Sequence, residues 1–187
     1  LGLKSSDFLI GCVGRLHPDK NQQLLISAME CLARGRDNVH CLFIGRGFET
    51  GGPGEEWALP VGLEKRVHLM GEQRPIAPLL SGLDCLVLPS RGESFPNVLI
   101  EAMACEVPCV TTNVGDAPEI VGKTGHVVKA GDVDGLVDAL IDLIDDKERR
   151  HAFGRSSRLR VAERYSIQAV VSQYEDLWGA LVGDYEA

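Results

Sequence analysis

The chain has 187 residues, a hydrophobic fraction of 44% and a net charge of −8. This length fits one domain, with or without a terminal helix, and the acidic balance argues against nucleic acid or an anionic membrane as a main partner. No apolar run approaches the ~20 residues of a membrane-spanning helix. The chain opens at Leu1 without an initiator methionine, so we expect that it was cut from a longer polypeptide or processed.

Short apolar runs alternate with longer helical patterns over most of the chain. The predicted strands are Phe8–Val13, Val39–Ile44, Val67–Met70, Cys85–Leu88, Val107–Thr111 and His126–Val128. The predicted helices are Asn21–Arg34, Glu55–Val61, Ile76–Leu80, Asn97–Cys105, Ala117–Val121, Val133–Ile144, Lys147–Arg164 and Ile167–Val182. Such alternation predicts an α/β fold, a doubly wound, Rossmann-like parallel sheet of about six strands with extra C-terminal helices. Its ligand site should lie beyond the carboxyl ends of the strands.

The last helix is treated as a separate unit. It follows an expected N-cap at Ser166, and its apolar residues recur at intervals of three and four. The stripe consists of Ile167, Val170, Val171, Tyr174, Leu177, Trp178 and Leu181. We therefore divide the chain into a Rossmann-like domain over residues 1–165 and a C-terminal helix over 166–187. The stripe is expected to pack either on this domain or on a partner domain.

The cysteines form no C-x-x-C pair, and most lie within apolar stretches. Free cysteine behaves as a small buried hydrophobe, which favours a structural role and a reducing cytoplasm. The six are Cys12, Cys31, Cys41, Cys85, Cys105 and Cys109.

Glycine and two cations follow the first strand. Gly14 permits close approach of a ligand to the backbone, while Arg15 and Lys20 flank the start of the next helix. Helix N-termini favour anions, and arginine can grip a phosphate through two parallel hydrogen bonds. This loop therefore predicts a phosphate site. The turns Gly45–Gly47 and Met70–Glu72 after the next two strands are weaker signals of the same kind.

The segment after the fourth strand carries the strongest signal. Pro96 suits the first turn of a helix, so we expect the helix to begin close to Ser94 or Phe95. Glu93 would then lie in the loop above the sheet, and Glu101 nearly two turns into the helix. The two carboxylates could accept hydrogen bonds from sugar and ribose hydroxyls on either side of a bound phosphate.

Together, Gly14–Lys20, Glu93–Ala102 and Gly115–Val121 resemble the retaining group 1 glycosyltransferases, which include glycogen and sucrose synthases. The resemblance covers nearly the whole chain and is to the C-terminal, donor-binding half of the two-domain GT-B architecture. It implies a hexosyltransferase that uses a nucleotide diphosphate sugar, retains the anomeric configuration and needs no cofactor or essential metal. The acceptor would be a sugar, a lipid or a polysaccharide.

The resemblance also implies roles for individual residues. Arg15 and Lys20, beside Gly14, would bind the donor diphosphate, and Glu93 would contact the donor sugar; these three are the candidate catalytic residues. Glu101 would hold the ribose.

Main-chain groups complete the implied donor site. Amides of Phe95, Asn97 and Val98 would meet the distal phosphate, next to Ser94. The main chain around Met70 and Gly71 would border the base. Arg46 stands where the family often has an acidic residue, which leaves the role of that loop open.

The family architecture also implies an N-terminal acceptor domain that this sequence does not contain. The fragment alone would then be inactive, and any peripheral association with a membrane, at its cytoplasmic face, would come through that other domain.

Three other functions are alternatives to the glycosyltransferase interpretation. A nucleotide-sugar epimerase or phosphorylase shares the architecture, and an epimerase would change its nucleotide sugar without an acceptor. A redox dinucleotide domain needs G-x-G-x-x-G after the first strand, whereas this chain has Gly11-x-x-Gly14. A non-catalytic sugar-nucleotide-binding module is the third. The acidic pair Asp132 and Asp134 fits a helix cap better than a metal site.

Overall fold

The computed structural model describes residues 1–57 and 60–183. Six strands form one all-parallel sheet in the order β3-β2-β1-β4-β5-β6, which confirms the predicted doubly wound fold. The order reverses between β1 and β4, which share two register pairs, Ile10 with Cys85 and Gly11 with Leu86. The strands are β1 (Phe8–Val13), β2 (Val39–Ile44), β3 (Val67–Met70), β4 (Cys85–Leu88), β5 (Cys109–Thr112) and β6 (His126–Val128).

Strand β5 begins at Cys109 and not at the predicted Val107. Pro108 has no amide hydrogen to contribute to a ladder. The Val107 amide donates instead to the Ala102 carbonyl, at the end of the preceding helix. The strand consequently ends one residue later than predicted, at Thr112.

The helices cover both faces of the sheet. Two short 3-10 turns, Pro18–Lys20 and Pro53–Glu56, precede and follow the first helix in the chain. The α-helices are α1 (Gln22–Ala33), α2 (Ala77–Leu80), α3 (Asn97–Ala104), α4 (Ala117–Val121), α5 (Val133–Asp145), α6 (Lys147–Arg164) and α7 (Ile167–Gly183).

The predicted helix Glu55–Val61 is wrong in its described part. Only the 3-10 turn ending at Glu56 is present, and the next residue, Trp57, has extended backbone angles. The Trp57 ring meets Phe43 and Phe48 edge-on at centroid distances of 5.3 and 5.4 Å, so packing into an aromatic cluster accompanies the end of the turn. Residues 58 and 59 of that prediction lie outside the described residues.

Alternating strand residues point into two separate apolar cores, as expected for a sheet covered on both faces. One core combines Ile10 and Phe43 with side chains from α1 and α5. The other combines Leu86 and Leu88 with α3 and α4. Burying a large aliphatic or aromatic side chain stabilises a fold by roughly 1.5–3 kcal/mol, so these two layers hold the carboxyl edge of the sheet in place.

Four of the six cysteines are buried in these cores, as the sequence predicts for most of them. They are Cys12, Cys41, Cys85 and Cys109, whereas Cys105 is half-buried and Cys31 is exposed. Burial raises the pKa of the Cys12 thiol to about 12, so this thiol stays protonated and inert.

Helix α7 is capped as predicted but leaves its apolar stripe uncovered. The Ser166 hydroxyl accepts a hydrogen bond from the Ala169 amide. The stripe side chains are between 37% and 79% exposed, with Tyr174 at 60% and Trp178 at 63%. The stripe is thus exposed on the described part of the domain, and its packing on this domain or on a partner domain stays a prediction.

Candidate functional site

The loops that follow β1, β2 and β3 are joined at their main chains. The Gly14 amide donates to the Ile44 carbonyl at 2.9 Å, and the Gly45 amide donates to Met70 at 3.0 Å. Gly45 has a positive φ of 143°, and a Cβ there would lie 2.3 Å from the Gly14 carbonyl oxygen. Only glycine fits this close approach, which explains the glycine at the end of β2.

The loop after β1 is tied to the loop after β4. Asn21, in the left-handed region at φ 48°, donates its side-chain amide to the Pro89 carbonyl at 3.3 Å. The Arg91 amide donates to the Asp19 carbonyl at 2.7 Å. These bonds cross the point where the strand order reverses, so the two loops form a single surface there.

An ion pair lies at this junction. The Lys20 ammonium nitrogen is 2.6 Å from Oε1 of Glu93, and their side chains are 28% and 8% exposed. The Ser90 hydroxyl donates to the same carboxylate oxygen at 2.6 Å. Two of the three predicted catalytic residues are thus brought together. An ammonium group has three donors, so Lys20 retains donors for a ligand while it contacts Glu93.

A cleft of about 600 Å³ lies over the carboxyl ends of β1 and β2. Gly14, Arg15 and Glu101, all predicted site residues, line it. The other predicted site residues are absent from its lining, namely Lys20, Met70, Gly71, Glu93, Ser94, Phe95, Asn97 and Val98. Residues 72–76, which follow Met70 and Gly71 in the chain, do line it. The lining consists of Val13, Gly14, Arg15, Ile44, Gly45, Arg46, Glu72, Gln73, Arg74, Pro75, Ile76 and Glu101.

Opposite charges line the far rim of the cleft. Glu72 lies 3.1 Å from the guanidinium of Arg74 and 3.8 Å from that of Arg46. Arg46, whose role the sequence left open, therefore faces an acidic neighbour on the next loop. All three side chains are well exposed, so their pairing is worth little in stability.

Helix α3 begins at Asn97, as its helical pattern predicts, and later than the start close to Ser94 or Phe95 that Pro96 suggested. Pro96 occupies the N-cap with an extended ψ of 93° and not the first turn. The Ser94 carbonyl accepts a hydrogen bond from the Asp116 amide at 3.0 Å, which holds the preceding residues in an extended loop. The Phe95 amide consequently lies before the helix, while Asn97 and Val98 contribute the first helical amides.

The later start also places Glu101 nearer to the beginning of the helix than the expected two turns. Glu101 is the fifth residue of α3, about 6 Å along the axis from Asn97 at 1.5 Å per residue, or roughly one turn. Its side chain is exposed at the cleft, whereas that of Glu93 is nearly buried. The two carboxylates therefore occupy different environments.

The cations and the N-terminus of α3 make this edge suitable for an anion. Arg15 is exposed, Lys20 is partly so, and the first amides of a helix lack carbonyl partners within it. Asn97 and Ser94 are also exposed there. A diphosphate with sugars on both sides matches this combination of cations, amides and carboxylates.

No cluster of metal-ligating side chains occurs within residues 1–57 and 60–183. Asp132 caps α5 by accepting a hydrogen bond from the Gly135 amide at 2.9 Å, as predicted. His126 contacts Asp142 at 2.8 Å and His40 contacts His68 at 3.3 Å, so these histidines satisfy local hydrogen bonds. In the same described ranges, no helix has the length and apolar character to cross a bilayer.

Comparison with known proteins identifies the family. The family described as group 1 glycosyl transferases matches residues 7–146. The chain is 40% identical over 124 residues to N-acetyl-alpha-D-glucosaminyl L-malate synthase of Bacillus anthracis, covering 65% of this chain and 32% of that protein. It is 31% identical over 186 residues to the capsular polysaccharide biosynthesis glycosyltransferase CapM of Staphylococcus aureus, covering 98% and 49%.

Solved structures show the same relationship. Anabaena Alr3699/HepE, crystallised in complex with UDP-glucose, superimposes with a TM-score of 0.80 at 25% identity, over 93% of this chain and 49% of that one. The chain thus spans about half or less of the length of these relatives. It belongs to the group 1 glycosyltransferases, and it corresponds to the C-terminal domain of their two-domain GT-B architecture.

Some site residues were missed from the sequence. Ser90 contacts Glu93, and residues 73–76 line the cleft after the predicted Glu72, but neither Ser90 nor residues 73–76 were singled out. The position of Ser90 directly after the apolar β4 was the available signal for it, because strand ends in this fold face the ligand. The only sequence feature that pointed to residues 72–76 as part of the cleft was the Met70–Gly71 turn that precedes them.

Proposed function

We propose that this chain is the donor-binding domain of a retaining glycosyltransferase. It moves a hexose from a nucleotide diphosphate sugar to a sugar, lipid or polysaccharide acceptor. The observation that carries the proposal is the ion pair of Lys20 and Glu93, which lies four residues before the start of α3 at Asn97. Arg15, on the same loop as Lys20, lines the cleft. Membership of the group 1 family supports it.

The donor lies along the cleft in this proposal. Its base and ribose occupy the part lined by Ile44, Arg46 and residues 72–76, with Glu101 accepting from the ribose hydroxyls. The diphosphate lies between Arg15, Lys20 and the amides of Asn97 and Val98. The hexose then reaches Glu93. The main chain at Met70 and Gly71 supports the base from behind the lining.

Electrostatic stabilisation of the leaving group is the main chemical contribution of this domain. The departing nucleoside diphosphate gains negative charge, which Arg15, Lys20 and the α3 amides are placed to balance. Charge-assisted hydrogen bonds are worth roughly 1.5–3 kcal/mol each, so two or three of them account for a large part of such stabilisation. Glu93 orients the sugar hydroxyls, and the reaction needs no essential metal.

The acceptor is bound by a second, N-terminal domain in this proposal, and residues 1–187 alone do not complete the transfer. Two observations support the second domain. The chain spans about half the length of CapM, and the apolar stripe of α7 is exposed on the described part of this domain. Helix α7, in residues 166–187, then packs against the N-terminal domain, which also provides any contact with a membrane surface. The free cysteines favour a cytoplasmic location.

Titration with UDP, GDP and ADP tests the donor site. We expect saturable binding of one nucleotide in preference to the others. Arg15→Ala and Lys20→Ala should each weaken that binding about tenfold or more, the equivalent of one charge-assisted hydrogen bond. Arg155→Ala is the matched control, because it removes an exposed arginine from α6 and should leave the affinity unchanged.

Two results would contradict the proposal. One is equal loss of affinity in Arg155→Ala and in the two site variants, which would indicate a non-specific charge effect. The other is the absence of binding to all three nucleotides, both in this chain and in a polypeptide that includes the N-terminal domain. Transfer assays on the longer polypeptide, with and without an acceptor, separate a transferase from an epimerase.

A further inference from the structure

All the hydrogen bonds that the described residues make to the Glu93 carboxylate end on the same one of its two oxygens. Oε1 accepts from the Lys20 ammonium and from the Ser90 hydroxyl, both at 2.6 Å. No donor among residues 1–57 and 60–183 contacts Oε2. The carboxylate is thus held at Oε1, and Oε2 is left to accept a hydrogen bond from a ligand.

Ser90 is itself fixed from two sides. Its residue is fully buried, and its carbonyl accepts a hydrogen bond from the Thr112 hydroxyl at 2.6 Å, at the end of β5. The Pro89 carbonyl accepts from the Asn21 side chain at 3.3 Å, at the start of α1. Elements on either side of the strand-order reversal therefore determine where the Ser90 hydroxyl lies.

The Lys20 contact cannot orient Glu93 by itself. An ammonium group on a four-carbon chain is a flexible point charge whose donors rotate. A phosphate bound beside Lys20 would also compete with Glu93 for those donors. The buried Ser90 hydroxyl has no such freedom, since its backbone is fixed and no ligand reaches it.

We propose that Ser90 is a positioning residue for Glu93, and that Thr112 supports it from behind. The hydroxyl of Ser90 holds Oε1 while Lys20 engages the diphosphate, so that Oε2 faces the hydroxyls of the donor hexose. This inference rests on the proposed function. It adds a residue that does not touch the donor and acts on the sugar through Glu93 alone.

The test compares binding of a nucleotide with binding of the matching nucleotide sugar. UDP, GDP and ADP are titrated beside UDP-glucose, GDP-mannose and ADP-glucose, and the best-bound pair is kept. Ser90→Ala should weaken nucleotide-sugar binding about tenfold, the effect of one hydrogen bond to a charged group, and nucleotide binding less than about twofold. Thr112→Val should also weaken nucleotide-sugar binding more than nucleotide binding, by a smaller factor than Ser90→Ala.

A double-mutant cycle shows whether the effect passes through Glu93. In a Glu93→Ala background, Ser90→Ala should cause no further loss of nucleotide-sugar affinity, because the group it positions is gone. Ser157→Ala is the matched control. Ser157 lies on α6, is also fully buried, and donates its hydroxyl to the Thr124 carbonyl at 3.0 Å. It should leave both affinities unchanged.

The outcomes separate the two proposals. If Ser90→Ala binds the nucleotide sugar as tightly as the parent, or loses nucleotide and nucleotide sugar by the same factor, the positioning role is wrong and the donor site stands. Additive losses in the Glu93→Ala background would overturn it as well. If neither this chain nor a polypeptide that includes the N-terminal domain binds any of the six probes, the proposed function fails, and this inference fails with it.

Discussion

Gly115 lies directly against the main chain of Glu93. A Cβ on Gly115 would be 2.1 Å from the Glu93 carbonyl oxygen and 2.9 Å from that of Ser94. Gly115 also has a positive φ of 51°, a conformation that disfavours side chains. The loop after β5 therefore packs directly against the main chain of the loop that carries Glu93.

Gly115→Ala should displace this loop and weaken nucleotide-sugar binding by about tenfold or more, because the added methyl group meets backbone that cannot rotate away. The left-handed conformation alone costs roughly 1–2 kcal/mol of stability. Gly131→Ala is the matched control: Gly131 has a φ of +80°, but its Cβ would meet nothing within 4 Å. Titration and urea unfolding of both variants check this prediction. Equal binding by the two would show that the loop accommodates the methyl group.

Lys20→Ala should lower the free energy of unfolding as well as the affinity for nucleoside diphosphate. The lysine is only 28% exposed, and its removal leaves the nearly buried Glu93 carboxylate without its cation, at a cost of about 1–3 kcal/mol. Adding Glu93→Gln should recover part of this stability but none of the diphosphate binding. Chemical denaturation and titration of the single and double variants measure the two effects separately. Recovery of both together would contradict the assignment of Lys20 to phosphate.

Glu101→Ala should remove discrimination between ribose and 2′-deoxyribose nucleotides. The parent is expected to bind the ribose form more tightly by about tenfold, because a charged acceptor meets the hydroxyl. Glu163→Ala, which removes an exposed carboxylate from α6, should preserve the preference. Paired titrations with the best-bound nucleotide and its 2′-deoxy form provide the measurement. Equal affinities of the parent for both forms would assign Glu101 another role.

Stability should fall as the pH drops from 7.5 to 5, in part through His68. Burial, and then the neighbouring His40, lower the pKa of His68 from its usual value of 6.5. The folded state thus favours the neutral ring, so its contribution is complete above pH 6.5 and is lost as the pH falls through the folded pKa. His68→Gln should flatten urea-derived stability profiles over this range, whereas His151→Gln, an exposed histidine, should not. Parallel profiles for the parent and His68→Gln would rule out this contribution.

Regular elements could be predicted from the sequence because each is encoded locally. Strands buried on both faces appear as continuous apolar runs, and five of the six have the predicted bounds. The loops that carry Arg15, Lys20 and Glu93 were located by the same logic, since each follows such a run. Their convergence follows from the strand order, which βαβ handedness restricts to few possibilities.

Features that depend on distant hydrogen bonds were beyond such reasoning. The late start of α3 reflects the bond between Ser94 and Asp116, and Pro96 alone suggested an earlier one. The burial of Ser90 depends on strand β5, which follows it in the chain. The exposed stripe of α7 was recognised as a stripe, but periodicity does not indicate which surface it will cover.

The two register pairs between β1 and β4 also have a mechanical consequence. Of the described neighbouring strands, these two share the fewest register pairs, so bonds between the loops contribute more to joining the first three strands to the last three. Lys20 belongs to one half of the sheet and Glu93 to the other, and their contact spans the boundary at 2.6 Å. The same ion pair that faces the ligand edge therefore also reinforces the sheet where its ladder is shortest.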